Sequence, residues 1–437
     1  QVLGDPAIRL PALDLARTAD LHGAPSGGGS PISVPDDTTP SRVRWTSQQR
    51  MVFDVYPELG LEDGVYSLTI TNGNGNASTL APALTAVPPP TVTSVDPDLI
   101  CVAQTETTIT LTGEGFLDVA GTLPTLAATP ASGGVDIDIE VTAVGDCFDV
   151  AGPTAGVRSC TTLTAVIPAD GLPVSGTSSS FLLTVTNPAP ANCVSAEPVR
   201  LTVVPPPEIT SVEPPLACTD ALPTEITLIG SGFLVVDGVY PTVTIDGTAV
   251  TPTAAAGCVD ITGLAETVQS CTSLTVPFPA AAGTPGDHVI HLVNPPPADC
   301  SAADMTITIA LPPVITGVVP ARICSADSVI AVTGENFIDA TRVSVGGTEA
   351  TSTTLISSGE IRATLPPLPP GVYDVTVSNA EGCEATLPGA LTVVENPIVF
   401  FVDPPVAYNG SDLQVTIFTS GVVGTVAQQG KTICLDD

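Results

Sequence analysis

The stretch from Val314 to Ile338, VITGVVPARICSADSVIAVTGENFI, decides how the chain is read. It divides into a short β-branched strand, a bend at Pro320, a turn carrying Cys324, a second strand, and then Gly334-Glu335-Asn336-Phe337. Variants of it recur. Upstream, TSVDP is followed by Cys101 and by GEGFL ending at Leu117, and ITSVEP from Ile209 is followed by Cys218 and by GSGFL ending at Leu234. Downstream, FFVDP is followed by TSGVV ending at Val423, with no cysteine between. The bend prolines Pro97, Pro214, Pro320 and Pro404 lie about a hundred residues apart, which is the size of a domain with its own core and too long for a solenoid repeat. The chain therefore reads as a tandem array of domains.

Composition agrees. Of 437 residues, 45 are proline and 39 glycine, and 13% are charged, a balance that favours disorder only where apolar residues are scarce. Here 43% are hydrophobic, and Val, Ile and Thr dominate the apolar runs, which is the composition of strands. Short strands punctuated by Gly and Pro predict all-β sandwiches of about seven strands per unit. A net charge of −34, with ten arginines and one lysine, argues against nucleic acid and against docking on an anionic bilayer, since both need clustered cations. No apolar run reaches 18 residues, so no membrane insertion is expected.

Eleven cysteines sort by repeat. The second unit has Cys101, Cys147, Cys160 and Cys193; the third has Cys218, Cys258, Cys271 and Cys300; the fourth keeps only Cys324 and Cys383. Subtraction pairs Cys324 with Cys383, then Cys101 with Cys193 and Cys218 with Cys300. It leaves Cys147 with Cys160 and Cys258 with Cys271 as inner pairs, and Cys434 unpaired. A second arrangement joins neighbouring units instead, Cys101 to Cys300 and Cys218 to Cys383; it avoids asking one strand's end to reach a turn at the opposite end of its sandwich. Either arrangement implies an oxidising, extracellular or cell-surface location.

Proline runs mark the boundaries: Pro88-Pro89-Pro90, Pro205-Pro206-Pro207, Pro312-Pro313 and Asn396-Pro397. They give units 1–88, 89–205, 206–312, 313–395 and 396–437, with stiff connections that project successive domains in a row. Near the end of each unit comes an alternating strand that closes in an Asn turn: GVYSLTITNG, SFLLTVTNPAP, DHVIHLVNPPP and GVYDVTVSNAEG. Segment 1–88 lacks the opening strands, and segment 396–437 consists of them. One reading is a window of a longer array. The other is head-to-tail polymerisation of a homo-oligomer, in which one subunit's 396–437 completes the next subunit's 1–88.

The opening I-T-S-V-x-P, the G-x-G/N-F after the second strand, the V-x-V-G-G-T at Val343–Thr348 and the closing P-x-G-x-Y-x-V-T-V-x-N together resemble the IPT/TIG family of immunoglobulin-like domains, as found in repeats of bacterial surface proteins. The resemblance implies an all-β fold of tandem immunoglobulin-like β-sandwiches in an extended array. It implies a spacer or binding role, as in a surface fibre subunit or adhesin stalk, and no activity. The alternative function is a set of accessory modules of a larger secreted enzyme.

No catalytic constellation emerges. His288 and His291 sit three apart on a strand and so face opposite sides; they occupy ordinary strand positions, His288 where Tyr66, Phe181 and Tyr373 fall. His22 lies in a Gly/Ser-rich loop with no nearby partner. The GEGFL and GSGFL glycines lack a following helix and a Gly-Lys-Ser/Thr, so they predict a bulge rather than a phosphate loop. Asp136, Asp138 and Glu140 share one strand face and are the calcium candidates, against the plainer reading of a solvated face. No other cofactor is expected. Asn76-Ala77-Ser78 and Asn409-Gly410-Ser411 match the glycosylation acceptor pattern. The partners left open are an unknown protein or a glycan bound at exposed loops.

Overall fold

The computed structural model describes residues 10–420, apart from residues 28, 36–41, 48, 102–105, 327, 397, 407–409, 411 and 413. It is almost entirely β. Alternation dictates the layers: in Ser328–Glu335 the side chains of Ile330 and Val332 are fully buried, while the residues between them turn outward.

The unit containing Val314–Ile338 shows the plan. One sheet runs in the order Val314–Val319, Ser328–Glu335, Glu360–Leu365, Ser352–Ser357. The facing sheet runs Arg322–Cys324, Cys383–Val394, Gly371–Ala380, Arg342–Val345, Thr348–Glu349. Their inner faces share a core that includes Ile330, Val332, Phe337, Ile361, Val375, Val377 and Leu391. The opening strand thus splits at Pro320: its first half pairs antiparallel in one sheet, and its second half, three residues long, crosses over to pair parallel with the last strand of the other. This short crossing strand and the small middle strands take the count above the seven expected.

The second and third units repeat the plan, with Leu99–Cys101 and Leu216–Cys218 as crossing strands. In the second, the long Ile137–Asp149 strand pairs in both layers and joins them into one eight-stranded sheet. Their cores centre on Phe116 and Phe233, both fully buried. The fold is a tandem series of immunoglobulin-like sandwiches.

Residues 10–88 form a partial version. A four-stranded sheet, in the order Ile32–Val34, Ala12–Ala19, Gly64–Thr71, Ala77–Ala86, faces a hairpin of Val43–Ser47 and Arg50–Phe53 over a core of Leu13, Leu15, Val43, Leu59 and Tyr66. Among the described residues the outer edges of Ala77–Ala86 and Arg50–Phe53 pair with no strand. Beyond the fourth unit, Ile398–Asp403 and Thr416–Ser420 form an antiparallel pair of their own.

Candidate functional site at the junctions between sandwiches

The Gly-x-Gly-Phe stretch builds one half of each junction. A Cβ on Gly113 would stand 1.9 Å from the carbonyl oxygen of Thr91, and one on Gly334 1.8 Å from that of Val314, so only glycine lets the two strands cross there. Two residues on, Gly115, Gly232 and Asn336 take positive φ of 74°, 72° and 63°, which bulges the strand and drops the following phenylalanine into the core. The proline linker lies against this bulge: the Asn336 side-chain amide donates to Pro312 O at 2.9 Å.

The other half is the Asn turn after the penultimate strand. Asn187, Asn294 and Asn379 are almost completely buried. Asn187 Oδ1 accepts from the Leu117 amide at 2.9 Å and its Nδ2 donates to Gly115 O at 2.8 Å; Asn294 does the same with Leu234 and Gly232, at 2.9 and 2.8 Å. Asn379 donates to Asn336 O at 2.7 Å and accepts from the Thr341 hydroxyl. Each asparagine ties the cysteine-bearing turn to the bulge. Sequence reading found the turn but missed the tie; the signal was the recurrence of Asn at one position when any turn former would serve.

Across this platform the cystines run between sandwiches. Cys101 bonds to Cys300, and Cys218 to Cys383, with Cα separations of 5.7 and 5.4 Å. The pairings of Cys101 with Cys193, Cys218 with Cys300 and Cys324 with Cys383 are therefore corrected. The crossing strand runs parallel to the last strand, with Cys101 beside Val204. It delivers its cysteine to the end of the sandwich opposite the Asn turn. The length of a strand, about 20 Å, separates that cysteine from the turn of its own unit, far beyond disulfide reach. The turn of the following unit lies at hand. Around Cys101 and Cys300, Leu99, Val204, Leu234, Val236 and Val268 form a junction core separate from those of the sandwiches. Cys147–Cys160 and Cys258–Cys271 are bonded within units; Cys147 and Cys160 face each other directly across antiparallel strands. Cys193 is a free thiol, contrary to expectation, and Cys324 is disulfide-bonded, though not to Cys383. Cys434 lies outside the described residues, as do Asn409 and Ser411 of one acceptor pattern.

The first junction differs. A groove of about 300 Å³ opens between the partial sandwich and the second unit, lined by Leu84, Val87, Leu117, Val119, Val157 and Ala191 among others. Asn72, the counterpart of the buried asparagines, is exposed. The pair beyond the fourth unit is exposed on both faces: Ile417 and Phe401 are 59% and 56% accessible, and the Phe401 and Phe418 rings stack with centroids 4.2 Å apart. Its register, Ile398 opposite Ser420 and Val402 opposite Ile417, reproduces that of Val314 opposite Glu335 and Val318 opposite Val332 in the fourth unit, where Val332 is fully buried.

The remaining candidates are dispersed. His288 is buried at its strand position, with Nδ1 2.6 Å from Asp246 Oδ2 and Nε2 2.7 Å from Thr284 O. Burial opposes its charge, but the hydrogen bonds to Asp246 and Thr284 outweigh that and hold its pKa above the ordinary value. The same bond holds the Asp246 carboxyl below the usual range. His291 meets Asp304 on the surface at 2.8 Å. His22 does have a partner: its ring packs on Phe148 of the second unit at 4.1 Å. Asp136, Asp138 and Glu140 face solvent, and Asp136 accepts from the Thr129 hydroxyl. Among the described residues no three His, Cys, Asp or Glu side chains gather as metal ligands, and no helix is long and apolar enough to cross a membrane.

Comparison with known proteins places these observations. Residues 313–393 match the IPT/TIG domain family model. No curated protein matches the chain. Among solved structures, it is similar to the extracellular region of plexin A4 (11% identity, TM-score 0.27, 90% of this chain and 39% of that one). It is also similar to the mouse nectin-like molecule 4 ectodomain (12% identity, TM-score 0.22, 68% and 97%) and to the Bacteroides ovatus glucan-utilisation protein SGBP-B (15% identity, TM-score 0.18, 74% and 71%). The chain spans about two fifths of the length of the plexin structure. The segment 313–393 is thus an IPT/TIG match within a chain of immunoglobulin-like sandwiches.

Proposed function

We propose that the chain is an extracellular structural protein, a row of immunoglobulin-like domains stapled by cystines, and that it assembles head to tail. The strand pair Ile398–Asp403 and Thr416–Ser420 of one copy completes the partial sandwich of residues 10–88 in the next. It adds at the open edge of Arg50–Phe53, as Ser328–Glu335 adds to Glu360–Leu365 in the fourth unit. One observation carries this reading: two strands in the opening register of the fold hold Val399, Phe400, Phe401, Ile417 and Phe418 in water, where the fourth unit buries the matching Val332. Burying one such side chain is worth about 1.5–3 kcal/mol, so several together favour capture by an open sheet edge. A contact between unlike ends is heterologous, and where its rotation does not close a ring it generates filaments.

Sedimentation and electron microscopy of the 437-residue chain test this. Species should grow with concentration into regular fibres, and Ile417→Asp should leave monomers. A wild-type chain that remains monomeric at high concentration overturns the proposal.

A further inference from the structure

The groove at the first junction occupies the place that a crossing strand fills at the second. There, Leu99–Cys101 lies parallel to the last strand of its sandwich, Leu99 opposite Thr202 and Cys101 opposite Val204, and Leu99 is 1% exposed. Aligning the repeats on their final strands puts Thr85 where Thr202 stands and Val87 where Val204 stands. The rest of the wall corresponds as closely: Leu117 to Leu234, Val119 to Val236, Val157 to Val268, Ala191 to Ala298. At the second junction these side chains close over Leu99 and the Cys101–Cys300 cystine. At the first they line a cavity of about 300 Å³, two residues before the free thiol of Cys193, which stands where Cys300 does.

Which segment fits follows from spacing. Leu99 comes two residues after Pro97, and Val406 two residues after Pro404; the two prolines share a position at the end of the opening strand. Val406 is 80% exposed, against 1% for Leu99. We infer that the groove beside Val87 and Ala191 seats residues 404–406 of a second copy, added as a short parallel strand against the free edge of Ala77–Ala86, with Val406 in the position of Leu99. This rests on the head-to-tail reading and fixes its register. It also sets this junction apart. The repeat spacing brings position 408 to Cys193, and the residue there is Tyr408 rather than cysteine. The contact between copies is therefore held by packing and strand hydrogen bonds, with the Cys193 thiol covered beneath it. The two junctions at Cys300 and Cys383 are covalent.

Two measurements on the full chain test this. Tyr408→Cys, assembled and mildly oxidised, should give a ladder of covalent oligomers on a non-reducing gel. Peptide mapping should join position 408 to Cys193, and adding Cys193→Ser should remove the ladder. In the wild-type chain, alkylation of Cys193 by a maleimide should slow at least ten-fold on assembly relative to monomeric Ile417→Asp. Fibres that form with Cys193 equally reactive and no link to position 408 overturn this register and leave head-to-tail assembly standing. Absence of both fibres and links overturns the two together.

Discussion

Cys101 and Cys300 stand 199 residues apart in sequence and 5.7 Å apart between Cα atoms, one at the exit of the second sandwich and the other in the entry turn of the third. Cutting the chain in the linker Pro205-Pro206-Pro207 should therefore not separate the two sandwiches until the sulfurs are reduced. Limited proteolysis followed by paired reducing and non-reducing gels checks this. Cys300→Ser should let the fragments part without reductant and cost about 2–4 kcal/mol of stability.

The bulge glycines are required by contact with a carbonyl. Gly334→Ala puts a methyl 1.8 Å from Val314 O, so the opening strand must shift, and a loss of about 2–3 kcal/mol in urea denaturation is expected. Asn336→Gly relieves the positive φ of its residue and gives up the bond to Pro312 O, so its change should stay within about 1 kcal/mol.

Asparagines at one repeat position should respond to different extents. Asn294→Ala strips partners from the buried Leu234 amide and Gly232 carbonyl and should cost about 2–3 kcal/mol. Asn72→Ala, at an exposed residue, should leave the stability of the isolated chain within about 0.5 kcal/mol and weaken assembly. Chemical denaturation of the two variants, with sedimentation of the second, separates the effects.

The His288–Asp246 pair gives the third sandwich a pH dependence of known sign. The His288 pKa is raised on folding, so its contribution is fully present below the unfolded value of about 6.5 and is lost as pH rises through the folded value. The Asp246 pKa is lowered, so its contribution is present above the unfolded value of about 3.9 and is lost as pH falls through the folded one. His288→Phe, the residue at the matching Phe181 position, should flatten the alkaline limb of stability against pH. Thermal unfolding monitored across that range provides the measurement.

The sandwiches were legible because period-two alternation and the repeated Gly-x-Gly-Phe are local signals. Phe116, Phe233 and Phe337 lie in their cores as that pattern requires. The cystines between units were harder, since subtraction among cysteines carries no distances. The three-residue crossing strand, which decides where Cys101 and Cys218 arrive, is too short to leave a periodic trace. Asn294 read as a turn former because its bulge partners lie 60 residues away from it. His288 read as a strand residue, and it is one; what the strand pattern did not disclose is the acid brought against it from Asp246 across the sheet.

The interleaving of the Cys101–Cys300 and Cys218–Cys383 bridges has a mechanical result. A pull along the backbone reaches Cys101 and is handed through sulfur to Cys300, so the polypeptide from Cys101 to Cys218 bears none of the load. Stretching the string cannot pay out the second and third beads one after the other, because each bridge straddles a boundary and the spans overlap. Such a series yields as a short, stiff tether until a reductant cuts it, and only then becomes a long elastic one.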